Sequence, residues 1–423
     1  MTATRTSPLT DWTVLVPTVA LVALVFSWGR DLPGYAVALV ALCLAGAVLA
    51  AVHHAEVVAH RVGEPFGSLV LAVAVTVIEV ALIVTLMADG GDKTSSLARD
   101  TVFAAVMITC NGIVGLSLLV GALRNRVAVF NAEGSGAALA TVATLATLSL
   151  VLPTFTTTKP GPEFSTAQLA FAAVASLALY GLFVAVQTVR HRDYFLPVTG
   201  HAGSGTDGRS GGGTGAGGGT DGRSGGGTGG GTGRGDPSAP RPAGPSVPAA
   251  PAVAAVAEAD PASGEDHAEP PTARAALISL GLLMVALVAV VGNAKAVSPT
   301  IESAVADAGL PHAVVGVIIA LLVLLPETLA AVRAARRDRV QTSLNLAYGS
   351  AIASIGLTIP VIALATVWLS GPLLLGLGPT HMVLLALTVV VGALTVVPGR
   401  ATLLQGGVHL VVLAAYLFLA ISP

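Results

Sequence analysis

FGSLVLAVAVTVIEVALIVTLM (Phe66–Met87) and AVVGVIIALLVLLPETLAAV (Ala313–Val332) each carry a single charged group, Glu79 and Glu327, inside an apolar run. At 1.5 Å per residue both runs are long enough to cross the hydrocarbon core of a bilayer. A carboxylate at that depth costs about 2.5–3.5 kcal/mol on insertion scales, so it faces a partner, a watery cavity or a substrate path. The plainer alternative is a protonated glutamate that joins two helices by a hydrogen bond. Two such residues in corresponding places of the two halves weigh against it and point to ion transport.

Composition sets the class. The chain is 54% hydrophobic and 10% charged, with a mean hydropathy of +0.82, the range of polytopic membrane proteins. A net charge of −2 argues against a nucleic-acid partner, and the charges gather between apolar runs, where they report topology. Cys43 and Cys110 fall within predicted spans and imply no disulfide framework. Trp12–Trp28 is followed by further spans, so it reads as a retained first helix, not a cleaved leader.

Apolar stretches at about 12–28, 34–52, 66–88, 101–123, 136–155, 167–189, 274–294, 313–332, 343–369, 379–397 and 402–421 predict an all-α polytopic membrane protein of about eleven transmembrane helices. Residues 198–272 separate the sixth span from the seventh. They are Gly/Ser/Thr-rich, then Pro/Ala-rich, and hold the duplicated decamer TDGRSGGGTG at Thr206–Gly215 and Thr220–Gly229. This composition predicts a disordered linker with an acidic end around His267.

The arginines set the orientation. With the N-terminus and linker cytoplasmic, the inside segments hold Arg5, Arg61, Arg124, Arg126, Arg190, Arg192, Arg274, Arg333, Arg336, Arg337, Arg339 and Arg400. The outside ones hold Arg30, Lys93, Arg99, Lys159 and Lys295. The C-terminus is then external.

With Glu79 set over Glu327, and after a longer loop in the first half, TCNGIVGLS (Thr109–Ser117) falls over SAIASIGLT (Ser350–Thr358). The chain therefore reads as an extra N-terminal helix (1–33), a first five-helix repeat (34–197), the linker and a second repeat (273–423). Five spans per repeat force opposite orientations, an inverted-repeat plan that places the site at the repeat interface near the midplane.

Beside each glutamate helix runs one rich in small and hydroxylated groups: Thr109, Cys110, Asn111 and Gly112 in the fourth span, and Gln341, Asn345, Gly349, Ser350, Ser354 and Gly356 in the ninth. Such stripes serve as packing seams or as neutral oxygens for a cation. Two carboxylates with neutral oxygens suit Ca²⁺, or with fewer contacts Na⁺ or K⁺, and no soft-metal spacing occurs. Because a carboxylate pair holds either protons or a cation, the two compete for the same oxygens. His53, His54, Glu56, His60 and Glu64 before the third span, with Glu302, Asp307 and His312 before the eighth, form polar entrances, a proton funnel or ordinary interfacial residues. His409 reads as a satisfied buried histidine.

The segments HRVGEPFGSLVLAVAVTVIEVALI with ITCNGIVGLSLLVGA, and LLPETLAAVRAARRDRVQTSLNLAYGSAIASIGLTIPV, resemble the two signature repeats of ChaA-type calcium/proton antiporters of the calcium/cation antiporter superfamily. The resemblance covers essentially all spans and excludes the linker. It implies a ten-helix inverted-repeat core plus one peripheral helix, and proton-coupled export of Ca²⁺, often with Na⁺ or K⁺, across the inner membrane. It implies that Glu79 and Glu327 bind cation and proton, that Ser350 matches a Gly-Ser pair, and that Thr109 takes its place in the first half. Ile78 and Pro326 before the glutamates, and Ser354 where relatives have Asn, depart from the wider pattern and bear on selectivity.

The expected site is thus Glu79, Glu327, Thr109, Asn111, Asn345, Ser350 and Ser354, with His60, Glu64 and His312 as a proton entrance. No cofactor is expected; the ions are substrates. Rival readings are a passive cation channel, a monovalent-only Na⁺(K⁺)/H⁺ antiporter, and an intramembrane enzyme, for which no HExxH or GxSxG motif exists.

Overall fold

The structure is a computed structural model that describes residues 11–30, 32–63, 66–88, 95–196, 271–311, 313–369 and 371–422, with side chains in the third helix from Val73 onward. The predicted linker lies outside the described residues except for its last two, 271 and 272, of which Thr272 caps the next helix, and Glu64 and His312 lie outside them too. Eleven long helices are present among the described residues: α1 Trp12–Ser27, α2 Gly34–Val62, α3 Phe66–Met87, α4 Leu97–Asn125, α5 Ala132–Phe155, α6 Thr166–Arg190, α7 Ala273–Asp307, α8 Ala313–Arg336, α9 Val340–Ala365, α10 Pro379–Val396 and α11 Leu403–Ile421. Nine of them are long and apolar enough to span a bilayer; α1 and the described part of α3 are apolar but shorter.

Two helices outrun their predicted ends. The apolar run of α2 stops at Val52, but the helix continues to Val62, with Ala55 and Ala59 extending its buried stripe. The run of α7 stops near 294, yet the helix continues through Lys295 to Asp307, burying Val297, Ser298 and Val305. Lys295 is therefore a helix residue, not part of an outside loop.

Backbone pairings sort the connections into two faces. A short strand β1, Ala128–Val129, pairs antiparallel with β2, Arg400–Ala401, which ties the α4–α5 and α10–α11 connections together. On this face Arg124 Nη1 donates to Arg336 O at 2.5 Å, and Asn125 Nδ2 donates to Asp338. On the opposite face Leu374 N donates to Ser95 O, and Gly376 N to Pro162 O, each at 3.0 Å, joining the connections after α3, α5 and α9. Helix ends are closed locally: Asn131 accepts from Gly134 N at 2.9 Å, and Ser165 with Gln168 forms a capping box on α6.

α4 occupies the centre, with 89% of its most apolar window buried against 28% for α6 and α11. Around it pack α8, α9 and α11, while α1 rests on α2 and α7. Between helices in lipid, close packing rests on small residues. At the α4–α11 crossing, a Cβ on Gly406 would come 2.7 Å from Leu119 N and 3.0 Å from Gly115 O, backbone atoms that cannot step aside. Gly406→Ala should therefore destabilise the protein by about 1–3 kcal/mol, visible as a lower melting temperature in detergent. Gly407→Ala, with nothing within 4 Å, should not. Equal melting temperatures for the two variants would contradict this crossing.

Candidate functional site

α3 and α9 meet at the first carboxylate. Ser354 Oγ donates to Glu79 Oε1 at 2.5 Å, and both residues are buried, 1% and 4% exposed. α8 brings Glu327, 7% exposed, whose Oε2 has no hydrogen-bond partner among the described residues. Glu327 lies within electrostatic range of Glu79 and also of Glu56 on α2. Pro326, immediately before it, lacks the amide hydrogen that would bond Leu322 O, which leaves a backbone oxygen outside the ladder above Glu327.

The fourth helix is not regular beside this pair. Ile108–Ile113 forms a π turn, which inserts a residue and rotates everything that follows. Thr109, fully buried in that turn, gives its hydroxyl hydrogen to Ala105 O at 2.8 Å and keeps its lone pairs. Ser350 lies one turn before Ser354 on the same side of α9 and is half-buried.

Two expected members face elsewhere. Asn111 Nδ2 donates to Thr388 Oγ1 of α10 at 2.9 Å, and its Oδ1 meets His409 Nδ1 of α11 at 3.3 Å, while His409 Nε2 meets Thr395 Oγ1 at 3.2 Å. This buried network locks α4 to α10 and α11, and it uses both ends of the amide. Asn345 donates to Phe195 O at 2.6 Å and accepts from Gln341 Nε2 at 2.7 Å, near the start of α9 and nine residues before Ser354. At 1.5 Å per residue that is about 13 Å away, so Asn345 secures the end of the helix. His60 is exposed near the end of α2.

Glu56, grouped in the sequence with the entrance residues, lies on the part of α2 that outlasts its apolar run, four residues past Val52, and within electrostatic range of Glu327. Thr388, Thr395, Ser117 and Ser343 carry no distinguishing sequence signal. Ser117 Oγ shares a 2.5 Å hydrogen bond with Ser343 Oγ, and Ser343 donates to Ala331 O at 2.7 Å, which joins α4, α9 and α8 below Glu327.

Two buried carboxylates within range of each other stay in place only if protons or a cation offset their charge. The surrounding oxygens are neutral hydroxyls, and among the described residues no group of three or more His, Cys, Asp or Glu side chains converges. A bundle of span-length apolar helices with two carboxylates buried on α3 and α8 has the build of a polytopic membrane transporter. The chain belongs to the sodium/calcium exchanger protein family, within the calcium/cation antiporter superfamily: the family pattern matches residues 32–189 and 278–422. It is a cation antiporter, not an enzyme, and the ions are its substrates.

It is 40% identical, over 99% of its length and 98% of the relative's, to y4hA of Sinorhizobium fredii (strain NBRC 101917 / NGR234), named as an ionic transporter. It is 32% identical to the sodium-potassium/proton antiporter ChaA of Escherichia coli (strain K12), over 96% of this chain and 95% of that one. Its fold is similar to that of the H⁺/Ca²⁺ exchanger CAX, with a TM-score of 0.60 at 14% identity, covering 97% of this chain and 89% of that one.

Proposed function

We propose that the protein exports Ca²⁺, and with it Na⁺ or K⁺, in exchange for protons, by alternating access at Glu79 and Glu327. One observation carries this reading: Glu79 with its Ser354 partner and the unpartnered oxygen of Glu327 are buried within range of each other on helices from both halves. In this mechanism protons on the pair leave as a cation enters, and Ser354, Ser350, Thr109 and Leu322 O supply neutral oxygens. Exchanging two protons for one Ca²⁺ keeps the site's charge constant while it crosses a low-dielectric region.

The repeats proposed at 34–197 and 273–423 are consistent with the packing, since α3 contacts α9 as α8 contacts α4, a reciprocal exchange of partners. The arginine-rich connections share one face, and the positive-inside rule makes that face cytoplasmic in an inner membrane. A monovalent-only antiporter is the second reading, favoured by the name of the ChaA relative.

Everted vesicles bearing the protein and an acid lumen test the proposal. Ca²⁺ added outside should accumulate as the proton gradient falls, with Na⁺ or K⁺ acting at higher concentration. Cation entry that proceeds unchanged without a gradient would establish a passive channel instead.

A further inference from the structure

Glu79 has a hydroxyl donor from the neighbouring helix, and Glu327 has no such partner among the described residues. The residue of α4 facing Glu327 can be placed from two fixed points. Near one end, Gly316 of α8 abuts Thr101 and Asp100, its Cβ position 3.1 Å from Thr101 N. At the other, Ser117 reaches Ala331 O through Ser343. Between these points α8 advances fifteen residues and α4 sixteen, the extra residue matching the insertion of the π turn.

Glu327 then stands level with Gly112 and Ile113. Ile113 shares the stripe of Ser117, whose hydroxyl donates to Ile113 O at 2.6 Å. It is fully buried in the cluster that includes Leu324 and Ala331, which flank Glu327 in sequence.

The internal alignment leads to the same residue, because it sets Ile113 against Ser354. Packing supports that register two residues further on. A Cβ on Gly115 would meet His409 Cβ of α11 at 3.0 Å, and one on its counterpart Gly356 would meet Tyr180 Cβ of α6 at 2.8 Å. Each glycine thus abuts the last helix of the other half, a reciprocal arrangement. Where Ser354 offers an oxygen to one carboxylate, Ile113 offers only carbon to the other.

We infer that Ile113 is a specificity-determining residue that leaves the Glu327 side of the site one neutral oxygen short and tilts exchange from Ca²⁺ toward monovalent cations. Ca²⁺ gathers six to eight oxygens and bears most of the loss, whereas Na⁺ and K⁺ form fewer contacts. The inference rests on the carboxylate pair being the transport site.

The test compares wild type, Ile113→Thr and Ile113→Val as full-length proteins in everted vesicles, titrated separately with CaCl₂, NaCl and KCl. In Ile113→Thr the half-saturating Ca²⁺ concentration should fall about tenfold, and those for Na⁺ and K⁺ should change less than about threefold. Ile113→Val should keep the wild-type ratio. Ile113→Ser carries the same expectation if the Thr variant does not purify. An unchanged ratio in the hydroxyl variants, or an equal shift in Ile113→Val, overturns the role of Ile113 while leaving the antiport reading intact. A wild-type protein that exchanges none of the three cations overturns both.

Discussion

Replacing Glu79 or Glu327 by Gln is expected to abolish exchange while the protein still inserts and purifies. The amide has nearly the shape of the carboxyl, so the packing of α3, α8 and α9 around it is kept. It can neither release a proton nor offset the charge of a bound cation. Removing one partner of a buried charged group costs about 3–5 kcal/mol, which converts to a loss of more than about a hundredfold in cation affinity. Glu79→Gln also leaves the Ser354 hydroxyl with an amide in place of the carboxylate it now bonds at 2.5 Å. Flux assays on reconstituted protein, normalised to the amount inserted, read the effect directly. Wild-type flux in either variant would remove that glutamate from the mechanism.

The glutamates stood out in the sequence because a charge in a span-length apolar run is costly wherever the helix is placed, so its presence demands a use. Ser354 was reachable through the internal alignment and helical spacing. The eleven helices were equally plain, but the ends of α2 and α7 were not. Apolar runs measure the part of a helix that meets hydrocarbon. Val62 and Asp307 lie where the helix continues beyond it, held by alternate buried positions such as Ala59 and Val305.

Asn111 and Asn345 misled for two physical reasons. Periodicity assigns residues to a common face but says nothing of what that face meets, and the partners of Asn111 lie 277 and 298 residues away on α10 and α11. Thr109, Cys110, Asn111 and Gly112 are also consecutive, so a helix points them around its circumference and not along one face. The π turn at Ile108–Ile113 adds a residue within this run, and Asn111 inside it meets α10 and α11. No local composition marks that turn, because its residues, ITCNGI, are compatible with an unbroken helix.

Cation affinity should depend steeply on pH, with a slope that counts the protons displaced. Protons and cation compete for the oxygens of Glu79 and Glu327. In the range where the pair is protonated before binding, one Ca²⁺ must displace two protons, so its half-saturating concentration should fall about a hundredfold for each unit rise in pH on the binding side. A monovalent cation that displaces one proton should show about a tenfold fall under the same mass-action rule. At higher pH, where the pair is already ionised, both curves should flatten. The sign follows from which state carries the protons: raising pH empties the site of its competitor, so affinity improves. Equilibrium titration of purified protein with CaCl₂ and with NaCl at stepped pH gives both slopes without relying on turnover. Affinities that do not move with pH would mean that protons and cations use separate sites, and the carboxylate pair would then bind the cation without coupling its movement to protons.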